Sequence, residues 1–214
     1  SSNYDDTVQR QTSGKNGIGV KCANIFSRYF RVEGTDASKG LRFEQVWENN
    51  MKDTKGPIIT PYKGKNYTTV EYIPDFKYFG CEGYSPGTMN IFKKHCIDAA
   101  LTCNIPITWC NSIIRIGTFT DYVKRYGNVL DTFSLKVVGP TLTCDIIITL
   151  TEESTNTVSF VNRLFTRYNG THVSQALKIL LAGLSEKLKV SEKDIKPYTV
   201  SYTHLRAHET LMNL

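Results

Sequence analysis

Polar, turn-forming residues open the chain, and the first regular hydrophobic pattern begins at Ile18. Ile18, Cys22, Ile25 and Phe26 recur at helical spacing and predict a helix ending near Arg28. Residues 29–33 then read as a strand. Over residues 41–48, apolar Leu41, Phe43 and Trp47 are set against Arg42, Glu44 and Glu48, which predicts a half-buried strand. Residues 67–73 are rich in β-formers and stop at Pro74. Residues 88–102 predict a helix with Met89, Phe92, Cys96 and Ala99 inward and Lys93 and Lys94 outward. A short strand is expected within 105–109. Three strands follow, over 133–138, 143–150 and 158–164. A long amphipathic helix over 173–188 carries Val173, Leu177, Leu180, Leu184 and Leu188 on one stripe. A change of composition near Gly117 separates two halves, each mixing helices and strands, so the fold class is α+β.

Composition narrows the field without choosing within it. The 214 residues are 40% hydrophobic and 21% charged, a globular balance with no apolar run long enough for a membrane-spanning helix. The net charge is +6, which permits a nucleic-acid or polyphosphate partner without requiring one. Cys22, Cys81, Cys96, Cys103, Cys110 and Cys144 include no C-x-x-C pair, which argues against a zinc ribbon or a thioredoxin motif. The expectation is buried, reduced thiols in an intracellular protein.

The stretch that speaks of chemistry is Gly14-Lys15-Asn16-Gly17-Ile18-Gly19-Val20-Lys21. It opens the first predicted helix. Glycines let a ligand approach the main chain closely, and free amides at a helix start, with the positive end of its dipole, attract anions. Lys15 and Lys21 add charge. The loop is not a P-loop, because Val20 stands where Lys is needed. It is not a dinucleotide fingerprint either, because Cys22 stands where a third Gly is needed. Spacing alone leaves open a nucleotide phosphate cradle and a plain glycine-rich turn.

Further residues carry a resemblance. Ser1-Ser2-Asn3-Tyr4-Asp5-Asp6 precedes the glycine loop, and Cys22-Ala23-Asn24-Ile25-Phe26-Ser27 follows it. Trp47-Glu48-Asn49-Asn50-Met51, Tyr67-Thr68 and Pro74-Asp75-Phe76 come next. Then come Ser159-Phe160-Val161-Asn162, Gly170-Thr171-His172-Val173 and Ile195-Lys196-Pro197-Tyr198-Thr199-Val200. In this order the motifs resemble the ATPase region of eukaryotic and giant-virus type IIA DNA topoisomerases across almost all of residues 1–200. The resemblance implies the C-terminal part of a GHKL (Bergerat) ATPase domain over residues 1–116. It implies a partial transducer domain, like domain 2 of ribosomal protein S5, over 117–200. Ser1, Ser2 and Asn3 would contact the nucleotide's sugar and phosphates. Gly14, Lys15, Asn16, Gly17, Ile18, Gly19, Val20 and Lys21 would wrap the triphosphate of ATP.

The resemblance also implies Mg²⁺ as cofactor, double-stranded DNA as partner, a homodimeric enzyme that closes as an ATP-operated gate, and no membrane. The compartment would be the nucleus for a cellular protein, and the cytoplasm or nucleus for a viral one. Lys187, Lys189 and Lys193 are candidates for duplex contact, although cations also suit the end of a helix. The family's general-base Glu and Mg²⁺-binding Asn lie on a helix ahead of the S-S-N motif, and its transducer lysine lies past residue 200. The 214 residues alone are therefore expected to be inactive, with no catalytic residue and no metal ligand among them. Residues 201–214 resemble a translated library adaptor and are expected to be non-native. Within them His204 and His208, four apart with Glu209 beside them, lack the zincin order of ligands. The alternatives are a stand-alone nucleotide or nucleic-acid binding module, and another GHKL ATPase of the chaperone or mismatch-repair type.

Overall fold

The computed structural model describes residues 14, 16–126, 131–139, 142–150, 157–168, 170–195 and 199–207. The chain divides into two compact units: among the described residues the first holds 16–86, and the second holds Gly14 and the residues from Gly87 onward.

The first unit opens with helix α1 (Ile18–Ile25), which ends earlier than its apolar spacing predicts because strand β1 (Ser27–Asp36) begins two residues later. Strands β2 (Leu41–Glu48), β3 (Asp53–Pro61) and β4 (Thr68–Pro74) complete an antiparallel sheet in the order β3-β2-β1-β4. Strand β2 has the bounds that the sequence predicts, but burial along it does not alternate: Leu41 is exposed and the other residues are half-buried. The period of two sorts the sheet into unlike faces. On one, the ring of Phe30 is buried between Trp47 and Tyr72, at centroid distances of 6.0 and 6.1 Å. On the other, Arg31, Glu33, Arg42 and Glu44 form an ion-pair network. Arg42 Nε donates to Glu33 Oε1 at 2.8 Å, and the Arg42 guanidinium reaches Glu44 Oε2 at 2.6 Å. Arg31 and the Tyr67 hydroxyl also bond to Glu33, which is only 6% exposed. The apolar residues of α1 do not form an inward stripe: Ile18 and Ile25 are exposed, and Asn24 is the buried residue of the helix.

The second unit begins with helix α2 (Pro86–Cys103). Pro86 suits a first helical position, and Asn104 in the left-handed region with Pro106 beyond it suits the end. A hairpin of β5 (Ile107–Trp109) and β6 (Ser112–Ile114) leads to helix α3 (Phe119–Val123) and a 3-10 turn, Lys124–Tyr126. Strands β7 (Thr132–Val138), β8 (Leu142–Leu150), β9 (Thr157–Val161), β10 (Leu164–Phe165) and β11 (Thr199–Ala207) form one sheet in the order β10-β9-β11-β8-β7. The predicted strand over 158–164 is therefore two strands, broken by Asn162 and Arg163 in the left-handed region. Strand β11 is parallel to β9 and antiparallel to β8, and its register runs on through Val200 and Ser201 to Ala207. The parallel pair needs a crossover, supplied by helices α4 (Thr171–Leu188) and α5 (Glu192–Ile195).

The core lies here: Ala100 of α2, Ile114, Ile116, Tyr122, Val123, Ile147, Val158 and Phe160 form one buried cluster. Two expectations are corrected. Lys94 points inward, bonded to Asp98, because its long stem runs over apolar surface while its ammonium finds a partner. Of the six free cysteines only Cys144 is buried; Cys22, Cys81 and Cys110 are exposed, and Cys96 and Cys103 are half-buried. On α4 the stripe fades at Leu188, which is exposed, while Val173 and Leu181 are buried. No described helix is long and apolar enough to cross a membrane, and no described group of His, Cys, Asp and Glu could hold a metal ion.

Candidate nucleotide phosphate site

Gly17 stands at the N-cap of α1 with φ 62° and ψ 17°, a left-handed conformation that glycine adopts without strain. The amides of Ile18, Gly19 and Val20 fall in the first turn, where an α-helix supplies no acceptor of its own. Among the described residues no side chain caps this turn, and no acidic residue lies in it. The residues are exposed, as are Gly14, Asn16 and Lys21. A Cβ on Gly14 or Gly19 would meet nothing within 4 Å, so neither glycine is required by protein packing. The glycines instead leave open space over a turn whose dipole favours an anion. Ser1, Ser2, Asn3 and Lys15 lie outside the described residues.

The first unit holds this helix by the motifs that surround it in sequence. At the turn between β2 and β3, the Asn49 amide donates to the Arg28 carbonyl at 2.9 Å and the Asn50 amide to the Ser27 carbonyl at 3.0 Å. Asn49 and Asn50 reach these acceptors in the left-handed region, which asparagine tolerates. The Asp75 amide donates to the Phe26 carbonyl at 2.8 Å, and the Phe26 ring meets Tyr78 at 5.1 Å and Phe79 at 5.5 Å. The Ser27 hydroxyl closes the junction on the Ala23 carbonyl at 2.6 Å. Two separated stretches thus converge on the end of α1 opposite the glycine loop. In the same helix, Asn24 Oδ1 is a buried acceptor with no hydrogen-bond partner among the described residues.

A second motif pair meets in the other unit. Ser159, wholly buried, places its Oγ 2.6 Å from His172 Nε2, and the Thr166 hydroxyl donates to Ser159 Oγ at 2.5 Å. The Thr166 amide donates to the Ser159 carbonyl at 2.8 Å. Burial pushes the His172 imidazole below its ordinary value. A serine beside a histidine suggests a nucleophile and its base, but Ser159 has no exposed surface, and the cluster ties the β9–β10 hairpin to the start of α4. Lys187, Lys189 and Lys193 are exposed around the end of α4 and in α5, among Glu186, Glu192 and Asp194. His204 lies on strand β11, not on a helix, and His208 lies outside the described residues. The sequence reading missed the buried Asp98–Tyr122–Tyr126 network, although Thr118-x-x-Asp121, a capping box, announces the helix that carries it.

No protein-family model matches the chain. The fold is that of a GHKL ATPase region followed by a transducer. The crystal structure of the ATPase region of Saccharomyces cerevisiae topoisomerase II superposes with a TM-score of 0.84 at 30% identity, over 95% of this chain and 55% of that one. The DNA topoisomerase 2 of Invertebrate iridescent virus 6 is 39% identical over 92% of this chain and 19% of its own length. That of Acanthamoeba polyphaga mimivirus is 36% identical over 92% of this chain and 16% of its own length. The chain belongs to the type II DNA topoisomerase family, within its ATPase region, and spans less than a fifth of the length of these two viral relatives.

Proposed function

We propose that the chain carries the ATP phosphate-binding loop and the transducer of an ATP-dependent type II DNA topoisomerase, an enzyme that changes DNA topology by double-strand passage. Residues 1–116 are assigned to the GHKL domain, 117–200 to the transducer, and 201–214 to an adaptor-like tail. In this reading Ser1, Ser2 and Asn3 contact the nucleotide, and Gly14–Lys21 wraps its triphosphate. The observation that carries it is the exposed first turn of α1 behind Gly17, which holds no acidic residue and, among the described residues, no capping side chain. That turn suits a polyanion such as ATP. The loop contains no carboxylate to act as a base, so it binds and orients the nucleotide without hydrolysing it. Mg²⁺, where bound with ATP, offsets phosphate charge.

Double-stranded DNA and a second copy of the chain are the proposed partners, in the nucleus of a cell, or in the cytoplasm or nucleus for a virus. Lys187, Lys189 and Lys193 are assigned to duplex contact; with Glu186, Glu192 and Asp194 beside them, their contribution is small.

The test uses Gly19→Val, because the protein itself leaves open space there. The variant stays folded and weakens ATP binding at least about tenfold, since the new side chain occupies room the phosphates need. Unchanged ATP binding by the folded variant would sink the phosphate-loop reading.

A further inference from the structure

Lys94 leaves the middle of α2 with its side chain 35% exposed. Its Nζ donates to Asp98 Oδ2, one turn on, at 2.6 Å. The same ammonium sits 3.7 Å from the centroid of the Phe165 ring on β10 and 5.9 Å from that of Phe160 on β9. Asp98 is buried, and its other oxygen accepts from the Tyr122 hydroxyl on α3 at 2.8 Å; that hydroxyl lies 2.7 Å from the one of Tyr126. One cation on α2 therefore touches the β9–β10 hairpin directly and reaches α3 through a single carboxylate. Ala100, a turn and a half further along α2, lies in the same buried cluster as Tyr122, Val158 and Phe160. A partly desolvated cation over an aromatic face is held more firmly than one in water.

We propose that Lys94 is a positioning residue that pins α2 to the β9–β10 hairpin, so that α2 moves as part of the second unit. The boundary between cooperative units then falls between Pro86 and Gly87, well ahead of the composition change near Gly117. The helix that the sequence assigns to the ATPase half is already fastened to the transducer sheet. This mechanical statement stands without the nucleotide reading; its use in relaying an ATP-driven movement rests on that reading.

Hydrogen exchange on the whole 214-residue chain tests it, with Lys94→Met, Phe165→Leu, the double variant and Lys94→Arg. In Lys94→Met, amides of α2 and of the β9–β10 hairpin lose protection together, about tenfold, while those of β1 and β2 keep theirs. Phe165→Leu produces the same paired loss from the other side, and serves alone if Lys94→Met fails to fold. The double variant loses no more than the larger single loss, and Lys94→Arg, which keeps the cation, restores protection. Unchanged hairpin protection in Lys94→Met, strictly additive losses, or α2 exchanging in step with β1 and β2 would each overturn the proposal. None of these readouts involves nucleotide, so the proposal and the ATP reading fail separately.

Discussion

The two units are held together by different physics. The second buries a continuous cluster of aliphatic and aromatic side chains between α2, α3 and the sheet. In the first, Phe30 is the one large apolar side chain fully buried among the described residues, and the other buried residues of the unit, Asn24, Ser27 and Glu33, are polar. Its sheet relies on charge-assisted hydrogen bonds on one face and aromatic edges on the other. Apolar burial responds weakly to pH, whereas ion pairs respond strongly. The first turn of α1 sits on the unit with the smaller apolar core, where local opening costs least. The five-stranded sheet sits on the unit with the continuous apolar core, which close packing makes the less deformable of the two.

The sharpest way to break this contrast is Phe160→Ala. The ring is fully buried in the core cluster, and its loss costs about 3–5 kcal/mol. The chain has two tryptophans, Trp47 on β2 and Trp109 on β5, one for each unit, so Trp47→Phe and Trp109→Phe backgrounds separate the signals. Denaturant unfolding followed by Trp109 shifts, while the Trp47 transition stays in place. A shift of both by the same amount would show a single cooperative block.

Acid sharpens the contrast from the other side. The Arg42 hydrogen bond first, and that of Tyr67 second, hold the Glu33 carboxyl at about 2, against 4.5 for an ordinary glutamate. A depressed carboxylate adds stability that is complete above pH 4.5 and is lost as the pH falls towards 2. The Trp47 transition is therefore expected to weaken across that window, and Glu33→Gln to flatten the dependence. In the second unit His172, lowered by burial, acts at milder pH. Its contribution is complete above 6.5 and is lost as the pH falls through its depressed folded value. His172→Gln removes that earlier loss from the Trp109 transition.

A smaller effect is expected from Thr118→Ala, which removes the reciprocal capping box of α3 and costs the second unit about 1 kcal/mol in the same denaturant assay. The smallest is Gly19→Ala, which raises the stability of the first unit by about 0.5 kcal/mol or less, because alanine suits a helix better than glycine and meets no neighbour.

What the sequence revealed follows the same divide. Strand β2 was legible to its last residue because one of its faces is more apolar than the other, and alternation reports that directly. Strand β3 was not, since Asp53–Pro61 carries two prolines, a glycine and no alternation; it pairs only with β2 at the sheet edge, where proline is tolerated. The glycine loop was readable because its chemistry is main-chain geometry, written locally in glycine. Lys94 was misread because helical spacing treats every lysine as a solvent-facing residue, and only the tertiary placement of Phe165 and Asp98 gives its ammonium somewhere to go. The Ser159–Thr166–His172 cluster could be seen as two motifs but not as a contact, because the turn at Asn162–Arg163 that folds Thr166 back onto Ser159 lay inside one predicted strand.

The account turns on whether the first turn of α1 receives the triphosphate of ATP. Amide proton–nitrogen correlation spectra of the 214-residue chain, recorded while ATP is added with magnesium, address this directly and detect even weak binding. Saturable shifts concentrated on Gly17, Ile18, Gly19, Val20 and Lys21, and absent in Gly19→Val, are the predicted result. Saturable shifts elsewhere with these five amides unmoved, or no shifts at any ATP concentration, would contradict it.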